Sequence, residues 1–252
     1  MARSRPDRTG SLQWLDDHVS KKHLRRREFG GQPCTAGGRL STRSTRTKPS
    51  GAVISWRSMA PSGRETEVKL PFSSPAEAEA CLRGIGARRE REREFEENVL
   101  YDLPDGVLRS SGRLLRLRRA GGRAILTFKG PVPGEHRHKV RVEHETEVGS
   151  PEEVARILEG LGLSPCYRYQ KYRTTYALEG LEIALDETPI GCFVELEGEP
   201  DAIDRIAARL GFSESQYVLA TYRQLQELHA AALGVEPGDL VFPDGFVDTG
   251  RP

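Results

Sequence analysis

From about Arg64 onward, apolar and polar residues alternate with the two-residue period of strands, and the alternation is interrupted by stretches of helical spacing. The alternation predicts a strand carrying Glu65, Glu67 and Lys69, and further strands over 114–118, 124–129, 138–148, 167–177, 181–186 and 192–197. Glycine-bearing turns, such as Gly121-Gly122 and Pro131 to Gly134, join several of them. Two helices announce themselves by their ends. Ser74 and Ser150 suit the N-cap, Pro75 and Pro151 the first helical position, and Glu77 and Glu153 the reciprocal capping-box site, with glycines at Gly86 and Gly162. Two more helices are predicted from Pro200 to Leu210 and from about Gln216 to Leu233. The whole reads as an antiparallel α+β domain.

The strand-then-helix unit occurs twice. Glu65-Thr-Glu-Val68 followed by Ser74-Pro-x-Glu77 is echoed by Glu145-Thr-Glu-Val148 followed by Ser150-Pro-x-Glu153, which a duplicated unit would explain.

Sorting each strand by face puts charge on one side and aliphatics on the other, because successive side chains point to opposite faces. Arg116 and Arg118 oppose Leu115 and Leu117, and Thr127 and Lys129 oppose Leu126 and Phe128. Lys139, Arg141, Glu143, Glu145 and Glu147 oppose Val140, Val142 and Val148. Lys171 shares a face with Arg173, Asp186 opposes Ile183 and Leu185, and Glu195 and Glu197 oppose Val194 and Leu196. An ordinary half-solvated sheet also alternates in this way. Two features favour a different arrangement. Like charges recur as i, i+2 neighbours, whereas a surface selected for solubility mixes signs. Four amphipathic helices are also available to cover the apolar face, so the ionic face could curl inward and close as a barrel lumen.

Composition divides the chain. Residues 1–58 hold ten Arg and three Lys against three Asp and one Glu, a surplus of nine positive charges, so with a net charge of +1 the remainder stands at −8. The first part is rich in Arg, Ser, Thr and Gly and has no sustained period, so it reads as a disordered basic extension. The cationic cluster Lys21 to Arg27 could touch nucleic acid or another anionic surface, or the segment could be a solvated extension. A third reading starts translation at Met59, where Met-Ala-Pro-Ser-Gly leads into the first strand. The domain is then 59–234, with 235–252 as a C-terminal tail. No apolar run reaches the length of a membrane span and no secretory signal is apparent, so the expected location is cytoplasmic. Four scattered cysteines without a C-x-x-C pair suggest reduced structural thiols.

A lumen carrying blocks of both carboxylates and bases has a specific use. A triphosphate bears about four negative charges at neutral pH. Arg can meet phosphate oxygens in bidentate fashion, and Lys supplies a compact charge. Carboxylates belong in such a site if Mg²⁺ or Mn²⁺ lies between them and the phosphates.

The run Glu65-x-Glu67-x-Lys69, Arg116-x-Arg118, Leu126-Thr-Phe-Lys-Gly-Pro131, Arg141-x-Glu143-x-Glu145, Lys171-x-Arg173, Leu185-Asp186 and Phe193-Val-Glu-Leu-Glu197 resembles the CYTH superfamily of triphosphate tunnel metalloenzymes. That group includes class IV adenylate cyclases and thiamine or inorganic triphosphatases. The resemblance implies an eight-stranded antiparallel β-barrel tunnel with a charged lumen and helices packed outside. It places Glu65, Glu67, Glu195 and Glu197 on metal-binding positions, with Asp186 and Glu143 close to the metals or their waters and Asp186 counted among the metal-binding residues. It places Lys69, Arg116, Arg118, Lys129, Arg141, Lys171 and Arg173 on phosphate-binding positions, with Lys69, Glu143 and Asp186 as the groups nearest the chemistry. Glu145 is either a ligand or a salt-bridge partner. Thr221-Tyr222 stands where many cyclase-like members have Ser-Tyr, and core packing in the last helix is the role expected of Tyr222.

The expected substrate is a small-molecule triphosphate such as ATP, tripolyphosphate or thiamine triphosphate. Hydrolysis is preferred, with cyclisation of ATP as the alternative and non-catalytic polyphosphate or nucleotide binding as a second. Tyr167 and Tyr169 are candidates to line a tunnel mouth. Oligomeric state is open, a dimer among the options.

Overall fold

The computed structural model describes residues 63–134, 137–244 and 246. The basic extension and the proposed start at Met59 lie outside these residues. Among the described residues eight strands and five α-helices follow one another. They are β1 (Arg64–Phe72), α1 (Pro75–Gly84), β2 (Arg88–Asp102), α2 (Val107–Ser110), β3 (Leu114–Ala120), β4 (Arg123–Lys129) and β5 (Lys139–Val148). Then come α3 (Pro151–Gly160), β6 (Ser164–Leu178), β7 (Leu181–Thr188), β8 (Gly191–Glu197), α4 (Pro200–Arg209) and α5 (Tyr222–Leu233). The strands close into an antiparallel barrel in the order β1-β5-β4-β3-β2-β6-β7-β8. Closure leaves no long unpaired edge and makes one face of every strand a lumen.

The order contains a repeat. Strand, helix, long strand and hairpin occur as β1-α1-β2-β3-β4 and again as β5-α3-β6-β7-β8, with the short α2 added in the first. β1 pairs with β5 and β2 with β6, so the two units join strand to equivalent strand on both sides of the ring.

The caps form as the sequence implies, but only in part. Ser74 Oγ accepts from the Glu77 amide and Ser150 Oγ from the Glu153 amide, with proline in the first turn of each helix. The reciprocal half of the box does not form. The Glu77 carboxylate accepts from the Ser73 amide (3.1 Å) instead, and Glu153 pairs with Arg156 one turn on. Gly86 and Gly162 take the left-handed conformation just past α1 and α3, at φ of 81° and 86°.

The apolar faces point outward and lie under helices. Val68, Leu70, Ile183, Leu185, Val194 and Leu196, from β1, β7 and β8, pack beneath Ala78 and Leu82 of α1 and Ile203 and Ile206 of α4. A smaller cluster packs Tyr101 of β2 and Leu117 of β3 against Leu158 of α3. The ionic faces therefore turn inward, which is the reverse of the usual solvent-exposed arrangement.

Two elements differ from the sequence reading. β2 has no alternation in its first half, Arg88 to Phe95, which is charged at almost every position and exposed on both faces. Alternation resumes only at Glu96, Asn98 and Leu100, and there the buried positions include two polar residues, so the strand is hidden from a hydrophobic pattern. The last helix begins at Tyr222 rather than near Gln216. Glu214–Gln216 form a single 3₁₀ turn, and Val218 then runs extended, exchanging backbone hydrogen bonds with Lys69 (2.9 and 3.2 Å). β5 stops pairing with β1 at Glu67, and Val218 satisfies the backbone beyond it. Thr221 then caps α5, with Gln224 closing a full capping box. In the same way Leu240 of the C-terminal tail pairs with β6 beside Arg168 and Gln170, where β7 no longer reaches. No helix among the described residues is long and apolar enough to cross a membrane.

Candidate active site: an ionic tunnel

Strand directions bring the start of β3 and β6 and the end of β1, β2 and β4 to one end of the barrel. There the lumen opens into a cavity of about 900 Å³. Its walls include Glu65, Glu67, Lys69, Arg116, Arg118, Lys129, Arg141, Glu143, Lys171, Arg173, Glu195 and Glu197. Every residue that the sequence places on a metal-binding or phosphate-binding position, Asp186 excepted, therefore faces one space, whereas Glu145 and Glu147 are absent from its wall. Cross-strand register accounts for the convergence: Glu65 sits opposite Arg141, Glu67 opposite both Lys139 and Glu197, Lys69 opposite Glu195, and Lys129 opposite Glu143.

The charges are buried and matched. Glu65, Glu67, Lys69, Lys129, Arg141 and Lys171 each expose 7% of their surface or less. The Lys129 ammonium donates to both Glu65 oxygens (2.6 and 2.7 Å) and lies 3.0 Å from Glu143. Lys139 donates to Glu67 Oε1 (2.5 Å), and Lys69 bridges Glu67 and Glu195 at 3.2 and 3.3 Å. Arg173 donates to Glu195 Oε2 (2.6 Å). On the other side Arg116 and Arg118 approach Glu145 at 3.6 and 3.4 Å, and Thr127 donates to the same carboxylate (3.0 Å). Glu145 is thus a partner of the arginines.

Neighbouring carboxylates on β1 are driven apart in acidity. Burial and the adjacent Glu67 raise Glu65 to about 7. Burial also opposes the charge on Glu67, but Lys139 and Lys69 outweigh it and hold that carboxylate well below its ordinary range. Burial lowers Lys139 to about 8, Glu67 offsetting it in part while Lys69 and Arg141 add to it. Lys69 is raised, because Glu195 and Glu67 overcome the cost of burial.

Asp186 occupies a different place. It is fully buried on β7 and is absent from the cavity wall. Its Oδ1 accepts from Arg173 Nε (2.7 Å), and its Oδ2 from Lys171 (2.7 Å), Arg173 Nη2 (2.6 Å) and the Tyr222 hydroxyl (2.7 Å). Tyr222 does pack in the core, against Phe193 and Tyr169, as its apolar spacing implies, but its hydroxyl turns inward.

Three participants were not assigned from sequence. Lys139 was on the ionic face without a role. Glu96, whose carboxylate burial would raise but which Lys171, Arg173 and Arg118 hold far below the ordinary range, and the fully buried Asn98 lie on the unrecognised β2.

Several buried donors have no hydrogen-bond partner among the described residues: Nε of Arg116, Arg118 and Arg141, and Nδ2 of Asn98, whose Oδ1 is likewise left without a donor. Donors left over in a basic lumen fit an oxyanion ligand. The acidic set fits a hard divalent cation in its chemistry, being made of oxygen donors on adjacent strands. Among the described residues, however, no three acidic, His or Cys side chains already converge on one point as metal ligands, because lysines and arginines hold the carboxylates.

The CYTH domain family matches residues 63–222, the span from β1 to the first residue of α5. The chain belongs to the CYTH family. That family is built around a triphosphate tunnel and depends on metal. A curated relative from Methanocaldococcus jannaschii, named "Putative adenylate cyclase MJ0240", is 25% identical over 65% of this chain and 99% of its own length. Among solved structures, the PH1819 protein of Pyrococcus horikoshii is 28% identical, with a TM-score of 0.55 over 64% of this chain and 97% of its own. A Vibrio parahaemolyticus protein described as a putative adenylate cyclase shares the fold at 21% identity and a TM-score of 0.55, covering 64% of this chain and 96% of its own. The sequence resemblance and the barrel are thereby established for this CYTH chain.

Proposed function

We propose that this CYTH protein binds a triphosphate inside the barrel and cleaves it with the help of a divalent metal ion, by attack of water on the terminal phosphorus. The observation that carries the reading is the ring of buried cations around one cavity, with guanidinium nitrogens left without hydrogen-bond partners among the described residues. Lys69, Arg116, Arg118, Lys129, Arg141, Lys171 and Arg173 take the phosphate oxygens, and Lys139 joins them. Glu65, Glu67, Glu195 and Glu197 hold Mg²⁺ or Mn²⁺, with Glu143 beside them. The ion when bound supplies positive charge against the charge developing on the phosphates. Fixed donors do the remaining work, since phosphoryl transfer needs chiefly positioning and electrostatic stabilisation.

The pairing of these groups couples the binding of triphosphate and metal. A triphosphate that takes Lys129 and Lys139 strips Glu65 and Glu67 of their partners, and leaving one member of a buried pair uncompensated costs about 3–5 kcal/mol. A cation that takes the carboxylates strands the lysines in the same way. Triphosphate and metal therefore bind best together. Titrating tripolyphosphate into the protein with and without Mg²⁺ gives tighter binding when the ion is present.

A second reading, cyclisation of ATP, has its own support. The M. jannaschii relative carries the cyclase name, and the cavity continues past the charges to Leu100, Leu114 and Tyr167, apolar walls suited to a flat base. Incubation with ATP, tripolyphosphate and thiamine triphosphate, each with Mg²⁺ or Mn²⁺, separates the two. Orthophosphate supports hydrolysis, cyclic AMP with pyrophosphate supports the cyclase, and absence of both turnover and tripolyphosphate binding overturns the enzyme reading.

A further inference from the structure

Asp186 and Tyr222 form a connection between the last helix and the phosphate-facing bases. Asp186 receives four donors on two oxygens, two of them on Oδ2 from Lys171 and Arg173, and shows no surface to the cavity. A carboxylate held by four such bonds is well placed to fix the direction of two cationic side chains. Tyr222 supplies the fourth bond from the first turn of α5. Its ring also lies under two ammonium groups, with Lys171 Nζ 5.2 Å and Lys69 Nζ 5.5 Å from the centroid. The Thr221–Gln224 capping box sets where the helix starts, and hence where this side chain enters the lumen.

We propose that Tyr222 is a positioning residue that acts through Asp186, holding Lys171 and Arg173 in the geometry that receives the phosphate chain. The assignment rests on the tunnel taking a triphosphate. Without the phenol, Asp186 Oδ2 loses the one donor that does not compete for substrate. Lys171 and Arg173 then have to satisfy the buried carboxylate by themselves and are drawn away from the phosphates. Burial and the neighbouring Asp186 raise Tyr222 well above its ordinary value, so the phenol keeps its proton as a donor throughout the working range.

The test is a double-mutant cycle on the full chain, read by calorimetric titration of metal-free protein with tripolyphosphate, alongside KM, kcat and Tm. Tyr222→Phe deletes one oxygen and keeps the ring. It is expected to weaken tripolyphosphate about tenfold, as loss of a hydrogen bond to a charged group does, and to raise KM more than it lowers kcat. In an Asp186→Asn background the same change is expected to add less than about twofold, because the route it acts through is gone. Equal effects in the two backgrounds, or unchanged affinity with a lowered Tm, would overturn the positioning role. Should Tyr222→Phe unseat the helix, Asp186→Glu shifts the carboxylate with Tyr222 in place; weakened binding supports the role and unchanged binding overturns it. Wild-type protein that binds no tripolyphosphate would remove the triphosphate reading and this role with it. A wild type that binds, beside a Tyr222→Phe that binds equally well, would remove this role alone.

Discussion

Strands β1 and β5 carry the same four residues, Glu-Thr-Glu-Val, and lie side by side in the barrel, yet only one copy of the tetrad has its carboxylates buried in the lumen. In β1, Glu65 and Glu67 are buried and each is held by a lysine. In β5, Glu145 and Glu147 stand at the exposed end of the strand, beyond the last residue that pairs with β1. The reason is register. Glu65 sits opposite Arg141 and Glu67 opposite Lys139, so Glu145 lies four residues past the partner of Glu65. The tetrad ends six residues before the N-cap serine in the first unit and two before it in the second. Aligned on their helices, the two units match Lys69 with Glu145, a base with an acid. Identical letters acquire different chemistry because the barrel decides how deep each one lies.

The largest difference expected between the copies is catalytic. Glu65→Gln with Glu67→Gln should lower turnover by about a thousandfold or more, the scale of losing a principal electrostatic group, while tripolyphosphate still binds. Glu145→Gln with Glu147→Gln should change turnover by less than about tenfold. Comparable losses from both pairs in steady-state kinetics would break the contrast.

The outward faces differ next. Leu70 of β1 is fully buried beneath α1 and α4, whereas Val142 of β5 is 39% exposed. Leu70→Ala should cost about 2–5 kcal/mol in denaturant unfolding, and Val142→Ala less than about 1 kcal/mol.

Acidity sharpens the comparison within β1 itself. Glu65, raised to about 7 in the fold, binds a proton more readily folded than unfolded. Its contribution is complete below the unfolded value of about 4.5 and is lost as pH climbs through 7. Glu67, held low, behaves in the opposite sense: its contribution is present above the unfolded value and disappears as pH falls through the folded one. The stability of Glu65→Gln relative to wild type should therefore rise by about 3 kcal/mol between pH 4.5 and pH 8, with Glu67→Gln giving no such gain. A flat difference for Glu65→Gln in Tm across that window would contradict the raised value.

The smallest effect should be shared. Ser74→Ala and Ser150→Ala each remove one N-cap bond and should each cost about 1 kcal/mol. A clear inequality would mean that the two helices are seated differently.

Local rules made much of this fold legible. Period-two alternation located seven of the eight strands, and serine, proline and glycine marked the ends of α1 and α3. They did so because pleat, cap and turn depend on neighbours a few residues apart. The list of lumen charges followed from the same period. β2 escaped because its first half is wet on both faces and its second half buries Glu96 and Asn98 where a strand would ordinarily bury aliphatics.

By itself the sequence determined, for every strand but β2, which side chains share a face and that one face is ionic, and it determined where two helices begin. Only the closed barrel decided that this face is the inside, that Lys129 meets Glu65 across 64 residues of chain, that Lys139 belongs with Glu67, and that Tyr222 reaches Asp186 rather than merely filling a core. These contacts depend on register and on which strands become neighbours, and those are settled by pairing the whole ring at once.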